Sequence, residues 1–246
     1  MFVFIYGAMV MQGVIEEKSS KVLEIMVSSV KPFQLMMGKI LGIALVAITQ
    51  FLIWVVVIVA GVFIRGQVIG GGEAAEAART MSASGMATGV PVEPGMFESI
   101  TNVLTPSFIA TMLRGFLIFF VGGYLLYAAM FAAIGSSVDN AADAPQLQVP
   151  LTIPIFLGLI VMINVMKDPN SALAFWFSMI PFTSPIVMLA RLPYGVPMWE
   201  LVLSVALLYA SFVFMVWLAG KIYRVGIFMY GKKPTFKELF KWARYK

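Results

Sequence analysis

The sequence predicts an all-α polytopic membrane protein: five transmembrane helices (the first truncated), a re-entrant or interfacial helix pair, a short cytoplasmic helix and an amphipathic tail helix. Three observations predict it. Of 246 residues, 61% are hydrophobic and only 12% charged, against about 25% charged in soluble domains. Mean hydropathy is +0.93. Uncharged runs of 20 residues or more recur along the chain. Such a chain cannot cover a water-facing surface, which excludes soluble globular and disordered classes. There is no Cys and no His. That removes disulfide frameworks, Cys/His zinc sites, His-ligated haem and His-paired nucleophiles. The excess of 17 basic over 12 acidic residues reads as a determinant of membrane orientation and not as a nucleic-acid surface.

A helix needs about 20 apolar residues to cross about 30 Å of hydrocarbon. The uncharged runs 40–64, 115–138, 144–166 and 201–220 meet that need. They set spans at 39–64, 113–138, 149–167 and 199–221. Residues 1–15 are also uncharged, but reach only about 22 Å. No basic region precedes them and no small-residue cleavage site follows, so a signal peptide is not the reading. They are expected to be the inner end of a truncated span, in a chain forming the carboxy-terminal part of something longer.

The run 171–190 is uncharged but carries Pro181 and Pro185 in its middle. Each proline removes a helix hydrogen bond, and a lipid-exposed break would strand backbone groups. The segment 171–193 therefore reads as a helix pair packed against protein, not as a crossing. Loop charge agrees. The tail 222–246, with Lys221 at its threshold, is basic, whereas the loop 65–112 is acidic on balance. Lysine and arginine stay inside, so the tail is expected in the cytoplasm. Counting back over five crossings puts 16–38 inside as well, but only if 171–193 does not cross. The loop stretch 66–95 is rich in Gly, Ala, Ser and Thr and is expected to be flexible.

Three segments are candidates for function. In Glu16-Glu17-Lys18-Ser19-Ser20-Lys21-Val22-Leu23-Glu24, Glu17 and Lys21 have i,i+4 spacing, in the favourable order for a helical pair. Glu17, Lys21 and Glu24 share one side of a helix that Pro32 terminates. A lipid-binding face would be mostly basic. Alternating charge fits a protein partner or an interfacial position, and the residues alone leave both open. In the second segment, 135–143 and its 139–148 loop, Asp139, Asn140 and Asp143 offer oxygens that suit a hard cation. Capping of the next helix by Asp143 is the plainer reading. In the third, Thr235 and Glu238 form a capping box. It opens a helix with Phe236, Leu239, Phe240 and Ala243 along one stripe and Lys237, Lys241 and Arg244 opposite, suited to an anionic leaflet. Within the spans, Gln50 and Asn164 are candidates for a polar pathway, with interhelical hydrogen bonding as the alternative. Gly38 and Gly42 form a GxxxG pair. No phosphate-binding loop is present, so any energy must come from another chain.

The stretch GVIEEKSSKVLEIMVSSVKPFQLMMGKILG (13–42) strongly resembles the cytoplasmic coupling segment of type-2 ABC exporter permeases, closest to NatB-like sodium-export permeases. The stretch GSSVDNAADAPQLQVPLTIP (135–154) resembles that family's next cytoplasmic loop, departing from it at Ala141 and at Ala144-Pro145-Gln146. The tail resembles the family's C-terminus. The resemblance implies a six-span permease of which this chain lacks the first span and an extracytoplasmic domain. It implies alternating access in the cell membrane by two paired permeases, each docked on a separate ATP-binding subunit that carries ATP and Mg. It implies no cofactor on this chain itself. Glu16, Glu17, Lys18, Lys21 and Glu24 would face the ATPase, and Lys31, Pro32 and Phe33 would shape the return to the membrane. The alternatives are a polytopic enzyme acting on lipids and an inactive or split permease fragment.

Overall fold

The computed structural model describes residues 2–20, 30–69 and 106–226. Helices are α1 (Phe2–Ser19), α2 (Pro32–Ile69), α3 (Pro106–Ser137), α4 (Ala144–Val165), α5 (Ala172–Met179), α6 (Ser184–Arg191) and α7 (Met198–Gly226). Single 3-10 turns at Ala141–Asp143 and Leu192–Tyr194 precede α4 and follow α6. No strand occurs among the described residues. Four helices among these residues, α2, α3, α4 and α7, are long and apolar enough to cross a membrane. α1, with 18 residues, is not one of the four. The tail segment 227–246 and Lys21 and Glu24 lie outside the described residues.

Helix ends differ from the uncharged runs in one consistent way. α2 opens at Pro32, seven residues before the expected 39, and includes Lys39. Pro at the first helical position costs nothing, because its missing N–H has no partner there anyway. α3 likewise opens on Pro106 and carries Arg114 within it. α4 starts at Ala144, inside the expected loop. α7 continues past Lys221 to Gly226. Charges mark the edge of the hydrocarbon and do not stop a helix. For the same reason α1 runs without a break through Glu16 to Ser19, where a separate short helix starting at Glu16 was expected.

Two compact units are distinguished: residues 1–45 with 112–246, and residues 46–111. In the first, contacts fix the helix directions. Along α1 and α3, Val3 meets Gly123, Gly7 faces the Phe131 ring, and Gly135 lies against Met11 and Val14. Along α7 and α3, Leu208 meets Gly122 and Gly226 meets Ser136. α1, α3 and α7 therefore run in the same sense and finish together at one end. Phe33 packs at Gly220 and Glu17 pairs with Lys39, so α2 departs from that end in the opposite sense. The second unit holds the rest of α2 and the start of α3, with Leu52, Ile53, Trp54, Val56 and Val57 exposed.

The segment between α4 and α7 is a hairpin of two eight-residue helices, each about 12 Å long. Ile180, before Pro181, is extended at ψ 121°, as the residue preceding proline must be to avoid its ring. Pro185 sits in the first turn of α6, where proline is tolerated. Side-chain hydroxyls satisfy two of the carbonyls freed by the break. Tyr127 donates its hydroxyl to Phe182 O at 2.8 Å, and Thr183 Oγ1 donates to Phe177 O at 2.5 Å. α6 climbs α3 from Gly123, beside Pro185, to Gly115, beside Leu192. The bend beside Tyr127 thus lies about 18 Å along α3 from the hairpin's mouth. Pro150 and Pro154 leave α4 continuous, since neighbouring packing supports a proline-containing span.

Close approach of α1 to α3 requires the bare backbone of Gly135, where a Cβ would lie 2.7 Å from the Met11 carbonyl oxygen. Gly135→Ala is expected to lose about 1–3 kcal/mol through overpacking, read as a lower thermal midpoint in detergent. Gly38→Ala, facing open space, is the neutral control.

Candidate functional site

The end where α1, α3 and α7 finish is held by one side chain. Lys18, in the last turn of α1, is fully buried. Its ammonium donates to Ser136 O at 2.9 Å and Gly226 O at 2.8 Å, and pairs with Asp139 Oδ1 at 3.0 Å. Ser136 and Gly226 lie in the final turns of α3 and α7. Helix C-termini present carbonyls without intrahelical donors and carry partial negative charge. The three protons of an ammonium match these two carbonyls and the carboxylate. One cation therefore caps the end of α3, holds the Gly226 carbonyl of α7 and neutralises one carboxylate. Gly226 makes the geometry possible, because a Cβ there would lie 2.8 Å from Ser136 O. Burial lowers the Lys18 pKa from its ordinary 10.5, while the hydrogen bond and charge of Asp139 pull it back up.

A second ion pair adjoins the first along α1. Glu17 Oε1 lies 2.6 Å from Lys39 Nζ on α2. Ser19 Oγ donates to Asp139 O at 3.0 Å. Glu16 remains exposed, as do Lys31, Asn140 and, by about half, Phe33. Pro32 is half-buried at the start of α2. The sequence grouped Lys18 with charges facing a partner. Its ammonium is instead turned inward, because two carbonyls and a carboxylate offer it more than water does. Asp139 faces that ammonium, which argues against a cation between Asp139 and Asp143. Asp143 stands at the N-cap position of α4 without a side-chain cap hydrogen bond. Among the described residues no group of three acidic, His or Cys side chains is placed to hold a metal. Gln50 on α2 and Asn164 on α4 are both exposed on their helices.

At the mouth of the α5–α6 hairpin lies a polar cluster that the sequence reading missed. Arg191, nearly fully buried, donates from Nε to Pro169 O at 3.0 Å and from Nη1 to Ser178 Oγ at 2.7 Å. Nη1 also pairs with Glu200 Oε2 at 2.8 Å, at side-chain exposures of 3% and 10%. Ser204 Oγ donates to Ser178 O at 2.6 Å. The bonds of Arg191 to Pro169 and Ser178 join the exit of the hairpin to its entry and to α5, while the Arg191–Glu200 pair and the Ser204–Ser178 bond fasten it to α7. A signal was available: an arginine among apolar residues with one carboxylate nine positions on demands a partner.

Comparison with known proteins fits this architecture. The family described as ABC-2 family transporter protein matches residues 1–221. The uncharacterized protein YhaP of Bacillus subtilis (strain 168) is 29% identical over 238 residues, covering 96% of this chain and 51% of its own length. The uncharacterized protein MJ1024 of Methanocaldococcus jannaschii is 27% identical over 236 residues, covering 96% of this chain and 49% of its own. The chain thus spans about half the length of these curated relatives. No solved structure matches. Multiple apolar helices and a match over most of the sequence lead to one assignment: the chain belongs to the ABC-2 family of transporter membrane proteins.

Proposed function

We propose that this chain is the membrane-spanning permease of an ATP-driven exporter, and that segment 16–38 receives the stroke of a separate ATP-binding subunit. The observation carrying the reading is the Lys18 junction. A push on the segment following α1 acts on the residue that joins α3 and α7, and through Glu17 and Lys39 on α2. The exposed Glu16 and Lys31, with Lys21 and Glu24, form the docking charges. Lys18 acts behind them as a positioning residue. ATP and Mg reside on the partner subunit. A second copy of the chain, or a related permease, completes the pathway to which Gln50 and Asn164 contribute polarity. The junction end and the tail face the cytoplasm of a cell-membrane protein, and the α5–α6 hairpin re-enters from the opposite face. Sodium is the proposed cargo, and efflux the direction, on the family resemblance of segment 13–42.

The lipid-enzyme reading is disfavoured by geometry. Asp139 and Asp143 precede α4 while Lys167 and Asp168 follow it. Its 22 residues separate the two groups by about 33 Å.

Glu16→Lys combined with Lys31→Glu is expected to reduce co-purification of the co-expressed ATP-binding subunit about tenfold, since complementary charge governs such docking. Sodium efflux from vesicles should fall with it, while the yield of folded permease stays unchanged. Undiminished association would remove the docking assignment. Efflux of other solutes with none of sodium would remove the cargo alone.

A further inference from the structure

We infer that one face of α7 is the surface on which this chain meets lipid acyl chains, and that Trp199 and Trp217 mark the two edges of the hydrocarbon layer. The two tryptophans are 58% and 55% exposed. They are 18 residues apart in the sequence, which at about 3.6 residues per turn is five turns. Both therefore point in the same direction, about 27 Å apart along the axis. Hydrocarbon cores are about 30 Å thick, and tryptophan concentrates at their boundaries.

The surface between them is apolar. Val202, Leu203, Leu207, Val213 and Phe214 are exposed, at the three-and-four spacing of one helical stripe. No charged residue occurs between Glu200 and Lys221, and Glu200 is turned inward to Arg191. Charge reappears outside the second tryptophan. Lys221 Nζ lies over the Trp217 ring, 4.1 Å from its centroid, and Arg224 is exposed one turn further on. A lysine stem lying along an apolar edge with its ammonium at the ring is the snorkelling arrangement of a membrane boundary.

The other edge is marked from a separate helix. The Phe175 ring lies 6.1 Å from Trp199 and 5.4 Å from Trp176, and Trp176 is 64% exposed. Two helices thus present exposed tryptophan at one level. A face covered by a second copy has no reason to carry a boundary residue at each end with the period of a bilayer.

The test uses the full chain in phosphatidylcholine vesicles with nitroxide-labelled lipids. In two variants every tryptophan except Trp199, or every one except Trp217, is replaced by Phe. In a third, all five native tryptophans are replaced and Leu207→Trp supplies the reporter. Ala210→Trp on the same stripe serves if that variant fails to fold. Trp199 and Trp217 are expected to be quenched about twofold more by label near the headgroup than by label near the chain ends, and the Leu207 reporter the reverse. A Leu207 reporter quenched by neither label would mean that protein covers the face, and would overturn the inference. Equal depth for Leu207 and Trp217 would overturn it as well.

Discussion

Arg191→Leu is expected to unseat the α5–α6 hairpin and abolish transport. The substitution strands Glu200, 10% exposed at its side chain, together with the Pro169 carbonyl, and takes one donor from the Ser178 hydroxyl, which itself donates to Phe175 O. Removing one member of a buried ion pair costs about 3–5 kcal/mol, because an uncompensated charge remains. Such a loss is a large share of a domain's net stability. Arg191→Lys should restore little, since a single ammonium cannot reproduce bonds from both Nε and Nη1. The double variant Arg191→Met with Glu200→Leu should recover much of the lost thermal midpoint, as replacement of both charges by apolar groups often does. A double variant no better than Arg191→Leu would show that hydrogen bonds to Pro169 and Ser178, and not the ion pair, hold the hairpin. The readouts are the thermal midpoint in detergent and solute flux from vesicles.

Lys18→Met is expected to be comparably severe. It leaves the Ser136 and Gly226 carbonyls and Asp139 without their shared donor, for a cost of about 3 kcal/mol. Asp139→Asn tests the same junction through pH. It removes the Asp139 charge, which raises the Lys18 pKa, and leaves burial. The folded state then binds fewer protons than the unfolded chain at pH values below the ordinary 10.5. Stability therefore climbs with pH across that window. The thermal midpoint of Asp139→Asn should trail the parent most near neutral pH, and the gap should narrow as pH rises towards 10.5. A constant gap would mean that the ammonium of Lys18 carries no strain in the variant.

The spans were legible because uncharged runs of about 20 residues have few other uses. Their true ends were not. Lys39, Arg114 and Lys221 sit within helices, since a charge at the hydrocarbon edge meets water without breaking a turn. The hairpin was legible from Pro181 and Pro185 alone, because proline imposes its consequence locally. The junction was legible only in part. The alternation of charge in 16–24 stood out, but which lysine turns inward depends on partners 118 and 208 positions away. No local pattern encodes that choice. Arg191 and Glu200 were visible as isolated charges, yet their pairing rests on the return of α6 alongside α7.

Lys18 has a mechanical consequence. A hinge lets one rod swing while its neighbours stand still, but here a single knot binds the final turns of α3 and α7 to α1. Those three rods are yoked at one end, so a displacement of any one of them there is passed to the other two before it can become the sliding of one helix past its neighbours.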